Sequence, residues 1–171
     1  MAFGQLTLLY MSSSGKSAEF YAAAELARNG WNVVYLGGNF RDSDLCIEDT
    51  ASDRVLWIQV KSYEEGNQKV ILKKPQVLRW VGADKWYIFV GIPKNNLDKP
   101  PAHFYCLPSK EVHEHAVFSS KQFVDAGGRD TDFWGFNMKD YVSKARGLLI
   151  AAHSAERLIK ADRNFKFYLN T

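Results

Sequence analysis

Cysteine, proline and long apolar runs are all scarce in this sequence. The 171 residues include two cysteines, Cys46 and Cys106, too far apart to suggest a disulfide framework or a CxxC zinc site. Such usage is typical of a reducing, cytosolic compartment. The five prolines fall in connections, no stretch approaches the about 18 apolar residues of a membrane helix, and the N-terminus lacks the basic start of a signal peptide. We therefore expect a cytoplasmic protein with no membrane partner.

The composition is that of a globular domain with a modest positive charge. Apolar residues make up 46% and charged residues 24% of the chain, which excludes a disordered protein. A chain of this length can bury about 70% of its unfolded surface, enough for a full core. The 22 basic and 19 acidic residues give a net charge of +3, which permits a polyanionic partner without requiring one. We expect a single domain over residues 1–171.

The first predicted element is a helix from Ser14 to Asn29-Gly30. Ser14 is a good N-cap, the alanine-rich body favours helix, and Asn-Gly is a typical C-terminal stop. The apolar side chains that mark its buried face are Ala18, Tyr21, Ala22 and Leu26. Residues 3–11 are apolar and fit either a short strand or the start of a helix.

Strands dominate the middle of the chain. Three candidates at 31–37, 44–48 and 54–63 are spaced tightly enough for an antiparallel meander, and the apolar run in 54–63 indicates a central strand. The later elements are a short edge strand at 69–72, a helical turn or short helix at 75–81, and strands at 85–92 and 103–107. A helix containing 111–117, a loop at 125–135 and a long amphipathic helix at 138–162 follow.

Four polar residues stand out against these elements. They are Glu19 on the first helix, Asp44 at the start of the second strand, and Gln59 and Lys61 on the third. Gln59 and Lys61 are two residues apart on a strand and therefore project from the same face. Polar groups buried without partners cost about 1–3 kcal/mol each. A metal ion and a carboxylate on the neighbouring strand would be such partners, and Asp44 can supply the carboxylate if the three strands form a meander.

The segments that carry these residues resemble the PD-(D/E)xK nuclease superfamily. GKSAEFYAAAELARNGWNVV, RDSDLCIED and RVLWIQVKSY, over about residues 14–63, are similar to its Holliday-junction-resolvase-like and Mrr-like branch. GADKWYIFVGIP and FYCLPSKEV resemble the second half of the family domain less specifically. The resemblance implies an α/β fold of the restriction-endonuclease-like type, with a mixed central sheet of about five strands flanked by helices.

The resemblance also implies a role for each site residue. Asp44 would bind a divalent metal together with the side-chain carbonyl of Gln59 and the main-chain carbonyl of Val60, an all-oxygen shell that suits Mg²⁺ or Mn²⁺. Lys61 would orient or help deprotonate the attacking water and stabilise charge on the phosphate. Glu19 would bind a second metal or hold water and Lys61 in place. The implied reaction is in-line hydrolysis of a phosphodiester bond.

The sequence departs from the family pattern at two positions. The triplet is QVK instead of ExK, so one negative charge is missing and we expect lower metal affinity, although the family includes active QxK branches. Ser43, not proline, precedes Asp44. Asp42 competes as a metal ligand, on the same side and further out.

Two other patterns suggest different chemistry. SSSGKS resembles a phosphate-binding P-loop, but that motif needs a glycine where Tyr10 stands. His103, His113 and His115 could suggest zinc, but residues two apart on a helix face different directions, which favours surface histidines.

Gln76 and the tryptophans have weaker functional signals. Gln76, four residues before a tryptophan, is similar to the Gln-x3-Tyr element of some exonuclease branches. The tryptophans are more typical of a core than of a stacking surface, and they are Trp31, Trp57, Trp80, Trp86 and Trp134.

A basic stretch follows the third strand, with Lys69, Lys73, Lys74, Arg79 and Lys85. A charged run is commonly a solvated face, but beside a phosphodiester site it can contact a duplex backbone. Lys16 is open to the same two interpretations. The residues that we predict to bind nucleic acid are Lys16, Lys73, Lys74 and Arg79.

Two functions of different classes follow. The first is a Mg²⁺-dependent nuclease that cleaves DNA with weak sequence preference or by structure, as a homodimer if it follows the small members of the family. The second is a non-catalytic module of the same fold, binding nucleic acid or protein, with the QVK triplet as a relic.

Overall fold

We describe the chain from a computed structural model. The structure describes residues 3–37, 40, 42–49, 54–67, 69–94, 101, 103–138 and 148–149. The helices are α1 (Phe3–Arg28), α2 (Lys74–Arg79) and α3 (Ser109–Asp125). The strands are β1 (Asn32–Tyr35), β2 (Leu45–Asp49), β3 (Arg54–Glu64), β4 (Lys69–Lys73), β5 (Lys85–Ile92), β6 (His103–Pro108), β7 (Phe133–Asn137) and β8 (Leu148–Leu149). Of the described helices, none is both long and apolar enough to cross a membrane.

The main sheet has the strand order β1-β2-β3-β5-β6-β8. The first three strands form the antiparallel meander that the sequence predicts, with Leu45 opposite Ile58 where β2 meets β3. β3 then pairs parallel with β5, and β5 pairs antiparallel with β6. The sheet is therefore mixed, with five strands of ordinary length and the two-residue β8 at its edge, which confirms the predicted fold class.

Helix α1 covers one face of this sheet. Its predicted apolar face is confirmed, because Ala18, Ala22 and Leu26 are buried in one core cluster with side chains from β2, β3, β5 and β6. The helix ends at Arg28, and Gly30 follows with φ +88°, a left-handed conformation that glycine adopts without strain. The packing of α1 on β3 brings residues of the helix to the strand that carries Gln59 and Lys61.

The opposite face is covered by α2, α3 and a two-stranded antiparallel ribbon of β4 and β7. Their side chains form a second core cluster with alternate residues of β3 and β5, including Tyr63 and Phe89. Four of the five tryptophans are buried in the two clusters and Trp57 packs against the second, so they are core residues as predicted. Strand β4 of this ribbon forms one wall of the cleft described below.

Helix α1 begins earlier than the sequence predicts. It starts at Phe3, so Ser14 is not an N-cap and residues 3–11 are helical. This stretch has no proline, and adding turns to an existing helix costs far less than nucleating a new one. The SSSGKS segment lies inside this helix and forms no phosphate-binding loop.

Two further expectations differ from the structure. Residues 133–135, predicted as loop, belong to β7, because pairing with β4 buries Trp134 and Phe136. The predicted helix at 138–162 lies outside the described residues, apart from Met138 in a turn and Leu148–Leu149, which are extended through pairing with β6.

Candidate active site

A cleft of about 560 Å³ opens where α1, β3 and β4 meet. Glu19, Asp44, Gln59, Val60 and Lys61 all contribute to its lining. The fold thus brings together, in one cleft, every residue that the sequence predicts for catalysis and metal binding. Three separate elements supply them, because Glu19 comes from α1, Asp44 directly precedes β2, and the other three are consecutive in β3.

Asp44 is tied to β3 by hydrogen bonds. Its own main-chain N–H donates to Ile58 O at 2.9 Å, and the main-chain N–H of Val60 donates to its Oδ2 at 2.8 Å. Nε2 of Gln59 also donates to this oxygen. Burial raises the pKa of the Asp44 carboxyl, the Val60 N–H opposes that shift, and the nearby Glu19 carboxylate adds to it. Asp44 is therefore a rigidly held acid in a partly desolvated position.

Glu19 is buried, with 9% of its surface exposed, on the turn of α1 that faces the cleft. The Lys16 ammonium contacts its two carboxylate oxygens at 2.8 and 3.1 Å, and the Tyr35 hydroxyl donates to Oε2 at 2.8 Å. Tyr35 was not identified from the sequence, because nothing local distinguishes a strand tyrosine that holds a helix carboxylate from one facing solvent. These two donors orient Glu19 toward the cleft.

Lys61 is a half-buried cation beside these acids. Burial lowers the pKa of its ammonium, while attraction to Asp44 opposes this shift. The positive charge of Lys73 also lowers this pKa. No described residue lies within hydrogen-bonding distance of the Lys61 ammonium. Lys61 is thus a cation that can donate to a molecule bound in the cleft.

Gln59 connects the cleft to the side chain of Gln76 on α2. Its side chain is 5% exposed, and its Oε1 accepts a hydrogen bond from Gln76 Nε2 at 2.7 Å. Gln76 Nε2 also lies 3.4 Å from Asp42 Oδ1, and Arg79 holds the Asp42 carboxylate through Nε at 2.5 Å and a second nitrogen at 2.7 Å. Asp42, the predicted competing metal ligand, is thus engaged by Arg79 and Gln76, outside the lining of the cleft.

The side-chain and main-chain oxygens of the residues at Asp44 have the chemistry of a hard-cation site. Carboxylate oxygens of Asp44 and Glu19, the Val60 carbonyl and the Gln59 side-chain carbonyl are the ligand types that Mg²⁺ and Mn²⁺ prefer. In the described part of the chain, no cluster of three or more His, Cys, Asp or Glu side chains could hold a metal. A cation at Asp44 would therefore depend on carbonyl oxygens for part of its shell. Gln59 presents its NH₂ group, not its carbonyl, to these oxygens, because Nε2 donates to Asp44 and lies 3.4 Å from Val60 O.

The predicted nucleic-acid contacts differ in their surroundings. Lys16 pairs with Glu19, Arg79 with Asp42, and Lys74 with Asp130, where its ammonium also lies 5.5 Å from the centre of the Trp134 ring. Lys73 is exposed at the end of β4, and no described residue pairs with it. Of the four, Lys73 has the charge most available for a phosphate.

The histidine pattern does not form a metal centre in the described residues. His113 Nδ1 contacts Val77 O at 3.3 Å, and the His115 ring packs edge-on against Phe136 with centroids 5.1 Å apart. The two side chains have separate structural partners, and the search for metal-holding clusters among described residues gives none.

No protein-family model and no curated protein matches this chain. Among solved structures, it is similar to Hjc, a Holliday junction resolvase from the archaeal hyperthermophile Archaeoglobus fulgidus, at 16% identity and a TM-score of 0.49, over 81% of this chain and 93% of the resolvase. It is also similar to a bacterial homing endonuclease, at 20% identity and a TM-score of 0.39, over 57% of this chain and 64% of that protein. At these identities, both likenesses concern the fold alone.

Proposed function

We propose that this protein is a divalent-metal-dependent nuclease that hydrolyses DNA phosphodiester bonds. The observation that carries the proposal is the convergence of Glu19, Asp44, Gln59, Val60 and Lys61 on one cleft. Phosphodiester hydrolysis needs the groups found here: two acids, two carbonyl oxygens that can ligate a metal, and a half-buried cation without a described partner. The proposal treats residues 1–171 as one domain, active as a cytoplasmic homodimer.

The residues of the cleft divide the work of hydrolysis. Asp44, fixed by the Val60 N–H, and the carbonyl groups of Gln59 and Val60 would hold Mg²⁺ or Mn²⁺. Such a cation, when bound, lowers the pKa of the attacking water and offsets charge on the phosphate. Lys61 donates to the water or to a phosphate oxygen, an interaction that gains strength in a partly desolvated site. Glu19, held by Lys16 and Tyr35, accepts a hydrogen bond from the same water.

The surroundings of the cleft support a polyanionic substrate. Lys69 belongs to its lining, as does Lys94, which pairs with the lining residue Glu64 at 2.9 Å. Lys73 lies close enough to Lys61 to lower the pKa of the Lys61 ammonium. Cations beside a reactive centre contact phosphates and position the strand without reading its sequence. A substrate preference based on DNA structure or weak sequence contacts follows from this arrangement.

One observation favours the non-catalytic alternative. Asp44 Oδ2 accepts hydrogen bonds from both Val60 N and Gln59 Nε2, so this oxygen is satisfied without any cation. A module that only binds nucleic acid could keep this arrangement permanently. Metal-dependent cleavage distinguishes the two functions.

The test is a cleavage assay on linear, nicked and four-way-junction DNA with Mn²⁺ or Mg²⁺. We expect metal-dependent cleavage of at least one substrate by the intact protein, and loss of at least about a hundredfold in rate for Asp44→Ala and Lys61→Ala. Lys121→Ala, which removes an equal charge from the exposed face of α3, is the matched control and keeps full activity. DNA retention without cleavage at every metal concentration would establish the binding module instead. Sedimentation velocity of the same samples tests the homodimer.

A further inference from the structure

A row of hydrogen-bonded side chains leads from the cleft through the protein to its surface. It runs from Asp44 through the amides of Gln59 and Gln76 to Asp42, which Arg79 holds. We call the pair Gln59–Gln76 the amide relay. Both amides are buried, with 5% and 9% of each residue exposed, so they depend on each other and on the two acids for hydrogen bonds.

The two acids fix the direction of the amide relay. An ionised carboxylate only accepts hydrogen bonds, whereas a glutamine amide donates at one end and accepts at the other. Asp44 therefore requires the NH₂ group of Gln59, and Gln59 Oε1 is left to accept from Gln76. Asp42, whose two oxygens accept from Arg79, disfavours a carbonyl beside Oδ1, and Gln76 Nε2 accordingly meets both Gln59 Oε1 and Asp42 Oδ1. Any other orientation sets an amide carbonyl against one of the two acids or two NH₂ groups against each other.

This direction opposes cation binding. A cation at Asp44 needs Gln59 Oε1, but that atom points to Gln76 and the NH₂ group faces the acid. Reversal of Gln59 alone would place two NH₂ groups against each other. Reversal of both amides restores the bond between them but sets Gln76 Oε1 against Asp42 Oδ1, two acceptors 3.4 Å apart. Cation binding must therefore offset the unfavourable contact between Gln76 Oε1 and Asp42, an acid that lies outside the cleft lining.

We propose that Gln76 is a positioning residue, anchored by Asp42, which sets the orientation of the Gln59 amide and thereby limits the affinity of the Asp44 site for divalent cations. The proposal rests on the proposed function, because it assumes a cation site at Asp44. Gln76 does not touch the cation in either state. It acts through Gln59, and binding is coupled to a concerted reversal of both amides.

Asp42→Asn tests the proposal, because two explanations predict opposite signs. Removing a negative charge near the cleft weakens cation binding by simple electrostatics. The amide relay predicts tighter binding, since an asparagine can present either its carbonyl or its NH₂ group to Gln76 and so favours neither direction. Arg79 now bonds one nitrogen to each Asp42 oxygen and loses one of these bonds to asparagine in either case, so that loss does not change the cation affinity. The substitution suits the backbone, because Asp42 has φ +70°, a conformation that asparagine also tolerates.

The measurement is Mn²⁺ binding without DNA, by electron paramagnetic resonance of free Mn²⁺ or by calorimetry, with thermal unfolding as the check on folding. We expect Asp42→Asn to bind Mn²⁺ about five- to tenfold more tightly than the intact protein, the equivalent of one recovered hydrogen bond. Asp44→Ala should abolish binding in both backgrounds. Equal or weaker binding by Asp42→Asn would overturn the amide relay and leave the proposed function standing. No Mn²⁺ binding by either protein would overturn both.

A second measurement uses the intact protein and does not depend on a variant. Side-chain ¹⁵N–¹H resonances of Gln59 and Gln76 are followed during titration with diamagnetic Mg²⁺. The amide relay predicts that both NH₂ groups shift together with one binding curve, although only Gln59 would touch the cation. A Gln76 resonance unchanged at saturation would contradict the proposal.

Discussion

The main-chain N–H of Val60 donates to Asp44 Oδ2 across 2.8 Å, so the acid that precedes β2 is attached to the backbone of β3. This bond follows from the antiparallel register in which Leu45 faces Ile58. Because the donor belongs to the main chain, only proline at position 60 would remove it. The position of the acid is therefore a property of the sheet, while the groups around it are set by side chains.

Lys61→Met should make the protein more stable and inactive. Burial lowers the pKa of the Lys61 ammonium, which means that the site disfavours its charge. Methionine keeps the apolar length without the charge, and we therefore expect a rise in Tm. Thermal unfolding measures the gain, with exposed Lys121→Met as control. A Tm below that of the intact protein would show that Lys61 is a stabilising residue, contrary to its proposed role.

Tyr35→Phe should weaken the hold on Glu19. The substitution removes the hydroxyl that donates to Glu19 Oε2 and keeps the ring that stacks on Phe20 at 4.9 Å. We expect a loss of about 1 kcal/mol in the free energy of unfolding, measured in urea. Tyr21→Phe, on the helix α1 that carries Glu19, is the matched control. The Tyr21 ring packs on the core and no described residue bonds its hydroxyl. Equal losses for the two variants would contradict the prediction.

Lys73→Ala and Lys74→Ala should differ in their effect on DNA binding. Lys73 is exposed and has no described partner, whereas Asp130 already neutralises Lys74. We expect Lys73→Ala to reduce the slope of log K against log salt concentration by about 1, the loss of one phosphate contact. The change for Lys74→Ala should be smaller. Fluorescence anisotropy with labelled duplex in the absence of divalent metal measures both, and equal slopes would contradict the prediction.

The two cysteines should differ in reactivity. Cys106 is buried in the core, and burial raises the pKa of its thiol to about 12, so it carries almost no thiolate at neutral pH. Cys46 is half-buried on β2. We expect Cys46→Ala to show no reaction with a thiol reagent in the native state and one reactive thiol in urea. Rapid labelling of this variant without denaturant would mean that β6 is not part of a closed core.

The elements that local pattern controls were predictable. The alanine-rich body of α1, the meander and β5 over Lys85–Ile92 agree with the structure because their periodicity and apolar runs are local signals. Gln59 and Lys61 share a face for the same reason, since side chains alternate along any strand. The start of α1 was not predictable, because the helix extends to Phe3 from a nucleus further along the chain. Strand β7 was not predictable, because it depends on pairing with β4.

The sequence by itself determined the chemical types at the site: the acids, the amide and the amine, and the face of β3 that presents them. Only the tertiary structure decided what those groups do to one another. Asp42, Gln76 and Arg79 come from different parts of the chain, and only folding brings them into contact with each other and with Gln59. Hydrogen-bond direction and charge neutralisation depend on neighbours in space. For that reason the sequence could name Gln59 as a ligand, but only the fold could decide which atom of its amide faces Asp44.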